Sequence, residues 1–224
     1  MPPDYNLPSH EVRDKNGNTL LLWAVQEKRN DILLHQIRNG ANVNQHNYDG
    51  DSAVHLAVKT ANQQALFILA KTGANLNTYG LNGETPLHTA VGCGMEDMVR
   101  LLVNFGAYLN VADEEGDTPL HWAVREGNEQ LVKLLLHFGA DKNIKNEDGE
   151  TPLHLAVSLG EYKFVEILIA SGANIFEYDS TGNGLLDDAK ASGHSEIVTL
   201  LEKHGASLNK PLPTVVPVGN YFQV

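Results

Sequence analysis

Four histidines stand 33 residues apart in this chain of 224: His55, His88, His121 and His154. Imidazoles act as general acids, general bases and metal ligands near neutral pH, so the first question is whether these four could work together. Metal ligation needs donors within about 2 Å of one ion. Residues separated by a whole structural unit lie about 10 Å apart, the spacing of packed neighbouring helices, and such rings cannot converge. The single cysteine, Cys93, sits in AVGCGMED. A nucleophile needs an activating base and an oxyanion site, and no neighbour in the sequence supplies that set. GCGMED also lacks the lysine and the preceding strand of a phosphate-binding loop. One cysteine excludes an internal disulfide framework and a multi-cysteine zinc site. These residues argue for no catalytic residue, no metal and no cofactor.

What spaces the histidines is a repeat that runs through the chain. Glycines fall at 17, 50, 83, 116, 149 and 182, and a Gly-Ala pair recurs at 40, 73, 106, 139, 172 and 205. The blocks align without a gap. The block 116–148 shows the physical content. Thr118 before Pro119 suits a helix N-cap followed by proline at the first helical position. That helix runs to about Glu126 and stops at Gly127, which tolerates a left-handed C-cap. A second helix, roughly 129–137, carries Leu131, Val132, Leu134, Leu135 and Leu136, and Gly139 ends it. The remainder, ADKNIKNEDG, is polar with Asp-Gly turn signals and suits an extended loop or hairpin tip. One such unit cannot bury its apolar faces, whereas stacked copies bury them against each other as a solenoid.

The string TPLH-x-A stands at 85–90, 118–123 and 151–156, with variants TLLLWA at 19–24, SAVHLA at 52–57 and GLLDDA at 184–189. With the period of 33, this resembles the ankyrin repeat, whose period and motif these are. The resemblance implies an all-α solenoid of paired antiparallel helices with β-hairpin finger loops. It sets an N-terminal segment and first finger at 1–16 and six repeats over 17–209 (17–49, 50–82, 83–115, 116–148, 149–181 and 182–209). A proline-containing tail follows at 210–224. The resemblance also implies that the motif histidine bonds neighbouring backbone and ties repeat to repeat. It places the residue after that histidine, with the last turn of the first helix, in a concave groove used for partners. There it puts Trp122, Arg125, Glu126, Leu155, Ser158 and Leu159, with Trp122 as the anchor, since a large aromatic among charges is a common interface hot spot. Lys28 and Ala61 replace glycines of the later blocks, so strained turns are expected there. Asp187, Asp188, Lys190 and Ser192 read as a polar cap, while the open face of the first repeat is expected to lie under the N-terminal segment.

Charge gives the partner a sign. The chain carries a net −12, and residues 111–180 hold fourteen acidic against five basic residues. Such a field repels nucleic acid and attracts basic partners; acidic surface also serves solubility, and charge alone leaves both readings open. The finger tips at 111–117 and 144–150 bring together Asp113, Glu114, Glu115, Asp117, Glu147, Asp148 and Glu150, with Tyr48, Tyr79 and Tyr178 on other tips. Capping and packing are not expected to dictate these tip side chains. The expected function is therefore a non-enzymatic scaffold or adaptor that binds a basic protein segment. Alternatives are a specific regulator of one enzyme or transcription factor, including a host-directed bacterial effector, and remotely an enzyme with a cryptic site. No apolar run is long enough to span a bilayer, and the start lacks the layout of a signal peptide. The expectation is a monomer in the cytoplasm, with the nucleus as the second compartment. The tail, with three prolines that forbid a helix through 217, reads either as disordered or as extended along the last repeat. Its end, Phe222-Gln223-Val224, is only a weak match to a carboxylate-capturing groove.

Overall fold

The computed structural model describes residues 12–206. The expectations for the tail at 210–224, and for the cover given by the first eleven residues, lie outside the described residues. Twelve α-helices follow in order among the described residues: α1 (Leu20–Gln26), α2 (Asn30–Arg38), α3 (Ala53–Lys59), α4 (Gln63–Lys71), α5 (Pro86–Gly92), α6 (Glu96–Asn104), α7 (Pro119–Arg125), α8 (Glu129–His137), α9 (Pro152–Ser158), α10 (Tyr162–Ala170), α11 (Leu185–Ala191) and α12 (Ser195–Lys203). Each odd-numbered helix packs on the next even one as a helical hairpin. The odd helices also pack on each other in sequence, and so do the even ones. The result is two stacked rows, the ankyrin solenoid that the period implies.

The motif residues set the helix boundaries. In α5, α7 and α9 a threonine at the N-cap adopts extended backbone and the proline takes the first turn. The missing proline N–H has no intrahelical partner to lose there. Gly94, Gly127, Gly160 and Gly193 end the odd helices of repeats three to six with positive φ. Lys28 and Ala61, at the equivalent places, hold φ of 55° and 50°. The strain expected at that end is present, since a side chain in this region costs roughly 1–2 kcal/mol.

The core is laid down by the same register. Ala24, Ala57, Ala90, Ala123, Ala156 and Ala189 are all fully buried along the odd row, each of the first five followed by a fully buried valine. Their small size lets successive odd helices approach closely. The even helices add Leu33, Leu66, Leu69, Val99, Leu102, Leu131, Leu135, Val165, Leu168 and Leu201.

The fingers are tighter than hairpins with strands. Only two isolated bridges occur among the described residues, His46 with Ser52 and Tyr178 with Gly184. Five of the six fingers are held instead by one Asp or Asn at the base. Asp113 Oδ1 accepts from the backbone N–H of Glu115 and Asp117 at 3.0 and 2.8 Å. Asp14, Asn47, Asn146 and Asp179 do the same in their fingers. Gly80 has no such side chain, and that finger closes through a 3-10 turn at Leu81–Gly83 with Asn82 at φ 57°.

Candidate functional site

The motif histidines are structural. Thr118 N–H donates to His121 Nδ1 at 3.1 Å, which makes Nδ1 an acceptor and leaves the proton on Nε2. That Nε2–H donates to the carbonyl of Glu150 in the next repeat at 3.1 Å. His88 reaches Asp117 O at 3.0 Å and His55 reaches Glu84 O at 3.2 Å in the same way. Burial is the main reason that all four imidazoles sit below the usual histidine range, His55 at about 4. They are buried, neutral and already engaged, which is the tie between repeats that the family resemblance implied. His154 is the exception, because its buried Nε2 makes no hydrogen bond to the next repeat among the described residues and faces the backbone of Glu177 in its own repeat.

Trp122 is half-buried and tied into the scaffold. Its indole N–H donates to Asp113 Oδ2 at 2.8 Å, and its ring stands edge-on to His88 with centroids 5.5 Å apart. It also lies over Gly92, where an added Cβ would come within 2.9 Å of the ring. The indole thus bridges repeats three and four while keeping one exposed side.

The expected acidic surface divides into two kinds of carboxylate. Asp117 is fully buried, takes Arg125 at 2.5 Å on Oδ2, and accepts from Asn146 Nδ2 at 2.9 Å on Oδ1. Asp113 holds its own finger and Trp122. Here packing does dictate the side chains, which corrects the sequence expectation for these two residues. Glu114, Glu115, Glu147 and Asp148 are exposed, and Glu150 is half-buried. The two fingers are joined by Glu147 N–H donating to Glu115 O at 3.0 Å. The exposed carboxylates stand on these two adjacent fingers. Tyr48 and Tyr79 are 73% and 61% exposed, with Tyr48 packed over Gly17.

The residues expected in the groove differ in exposure. The residue after the motif histidine is mostly covered: Leu56, Thr89 and Leu155 are buried. Exposure moves to the last turn of each odd helix, where Lys59, Arg125, Glu126, Ser158 and Leu159 face outward. In the same column Trp122 packs over Gly92 of the preceding odd helix, and Leu155 is part of the buried core.

Sequence reading passed over a pairing within this row. Lys59 clasps Asp51 at 2.6 Å, and Arg125 clasps Asp117, eight residues apart in both repeats. Leu81, 66% exposed at the tip position shared by Tyr48 and Glu114, was also missed. The 33-residue register alone places all of them, had each column been read through.

No group of three or more His, Cys, Asp or Glu suited to a metal occurs among the described residues, and none of their helices is long and apolar enough to cross a membrane. Cys93 is exposed at the end of α5 and unpaired.

Stacked helical hairpins with side-chain ties between repeats and outward fingers define a repeat solenoid. A family model described as ankyrin repeats (3 copies) matches residues 66–146 and 130–211. The chain belongs to the ankyrin repeat family and is a protein–protein interaction module, on a fold that generally serves as a non-enzymatic scaffold. It is similar to a solved structure, the crystal structure of the ankyrin repeat domain of Bcl-3, "a unique member of the IkappaB protein family", with 27% identity and a TM-score of 0.80. The similarity covers 86% of this chain and 89% of that one. No curated protein matches the sequence.

Proposed function

We propose that the chain acts as an adaptor that receives a basic segment of a partner protein along the concave face of repeats three to five. One observation carries the reading. Glu114, Glu115, Glu147 and Asp148 stand exposed on two fingers locked side by side, and none forms an ion pair among the described residues. A surface built only for solubility gains nothing from holding like charges in fixed proximity. A surface that steers a cationic partner does, since such fields raise association rates and select partners. The groove beside these fingers adds Leu159, 48% exposed, and the open side of Trp122 as apolar contacts.

The test uses arrayed basic, neutral and acidic peptides of equal length. The protein is expected to retain basic peptides selectively, and less so as salt rises. Glu115→Lys with Asp148→Lys should abolish that selectivity while the melting curve stays unchanged. Equal retention of all three classes, or selectivity that survives both charge reversals, overturns the reading. Trp122 is left intact in this test because its removal also disturbs the scaffold.

A further inference from the structure

The clasp between Asp51 and Lys59, and between Asp117 and Arg125, belongs to a column that runs through the repeats. The acid position reads Asn18, Asp51, Glu84, Asp117, Glu150 and Asn183, and the position eight residues later reads Gln26, Lys59, Gly92, Arg125, Ser158 and Ala191. In repeat one the neutral pair Asn18 and Gln26 still meets, at 3.2 Å. In repeats two and four the acid is held by a base of its own helix. In repeats three and five the acid remains and the base is gone.

Glu84 and Glu150 form no ion pair among the described residues, and both side chains are half-buried. Burial is the main cause that raises both above the usual carboxylate range. Lys59, the cation that acts on Glu84, is already committed to Asp51. At Glu150 the neighbouring charges, Asp148, Asp188 and Asp179, are all acidic, and Asn146 supplies a neutral hydrogen bond. The missing bases are not replaced by another cation. Gly92 leaves its space to the Trp122 ring, and Ser158 is small and exposed.

We propose that Glu84 and Glu150 are two cation-docking positions, each completed by a lysine or arginine of the bound segment in the place that Lys59 and Arg125 fill within this chain. The inference rests on the basic-segment reading and sharpens it. The two positions are two repeats apart, which is about 16–20 Å at the usual spacing of packed helices. An extended chain rises about 3.3 Å per residue, so the partner should present two basic side chains about five or six positions apart. Between them lies Asp117, already neutralised by Arg125, so a third basic residue midway meets no vacant carboxylate. The cation arriving at Glu84 comes beside the Trp122 ring, an arrangement that favours arginine or lysine over a neutral side chain.

The probes are two Gly-Ser peptides, each with two arginines, set about six positions apart in one and adjacent in the other. Binding is followed at low ionic strength by fluorescence anisotropy and by the carboxyl carbon shifts of Glu84 and Glu150. The spaced peptide is expected to bind about three- to tenfold tighter than the adjacent one and to shift both carboxyl carbons. Ser158→Arg supplies the missing base from within, so it should lower the titration midpoint of Glu150 and weaken the spaced peptide by a similar factor. Glu84→Gln should weaken it likewise. Equal binding of the two peptides, or binding indifferent to Ser158→Arg and Glu84→Gln, overturns this assignment and leaves the basic-segment reading standing. Absence of binding by either peptide, together with no selectivity for basic peptides on the array, overturns both.

Discussion

Gln36 occupies a place that leucine holds in every other repeat, at Leu69, Leu102, Leu135, Leu168 and Leu201. It is 4% exposed, and its Oε1 has no hydrogen-bond partner among the described residues. A buried acceptor left without a donor costs roughly 1–3 kcal/mol, and a leucine of similar size removes that cost. Gln36→Leu is therefore expected to stabilise the protein by about 1–2 kcal/mol, seen as a higher urea midpoint with an unchanged slope. An unchanged or lower midpoint would show that the amide is compensated in solution. Trp122 poses the opposite problem, since the ring that packs between repeats is also proposed to meet the partner. Trp122→Phe keeps an aromatic ring beside His88 and over Gly92 but deletes the donor to Asp113. The expected loss is about 1 kcal/mol. Trp122→Ala also removes the inter-repeat contact and should cost about 2–3 kcal/mol, below the range for a wholly buried ring. If both variants melt like the parent, the indole is surface decoration and its role lies entirely in docking.

At the level of elements, the repeats are not equally tied to one another. His55, His88 and His121 each cross to the next repeat, but His154 Nε2 makes no such crossing bond among the described residues and faces the backbone of Glu177 in its own repeat. The sixth repeat also starts its helix with Gly184, which has no hydroxyl to cap it, and keeps only the reach-back bond from Gly184 N–H to Asp187 Oδ2 at 3.1 Å. In a solenoid, stability is a sum over neighbours, so the end with the weakest interface opens first. Amides of α11 and α12 should exchange with solvent well before those of α5 to α8, read by native-state hydrogen exchange. Uniform protection along the stack would refute a graded opening. These differences mark how far the sequence could be read. Helix starts and stops were legible, because Thr-Pro and the Gly that follows the odd helices of repeats three to six are local backbone signals. The division of labour among carboxylates was not: Asp117 and Glu115 look alike in a string, and only packing shows that one is inside and the other out. The compensation of Gly92 by Trp122 also escaped, because the two residues are thirty positions apart and meet only after the repeats stack.

For the whole molecule, the repeated burial of one titratable residue type turns a local feature into a global pH response. His55, His88, His121 and His154 are all held below the ordinary histidine value, mainly by burial, with His55 at about 4. Their Nδ1 atoms accept hydrogen bonds, so the protonated ring would turn an acceptor into a donor facing another donor. The unfolded chain binds these protons near pH 6.5 and the folded chain does not. Their contribution to stability is therefore complete above about pH 6.5, is lost as pH falls from there toward the folded value, and is level below it. Glu84, Glu150 and Asp188 have the opposite sign, since their raised folded values favour the folded state on acidification. Their gain begins at those raised values and is complete below the ordinary carboxylate range, so it offsets part of the loss from the four histidines. Melting temperature should be level from pH 8 to 7 and then fall steadily toward pH 5.5. Each histidine that protonates only on unfolding contributes a slope of about 1.4 kcal/mol per pH unit. His121→Gln should lower stability at pH 7 by breaking the tie to Glu150, yet make the decline with pH shallower by one histidine's share. Because the exposed carboxylates of the fingers are untouched by this change, peptide binding at pH 7 should be retained. A decline as steep in His121→Gln as in the parent would mean that other groups set the acid response.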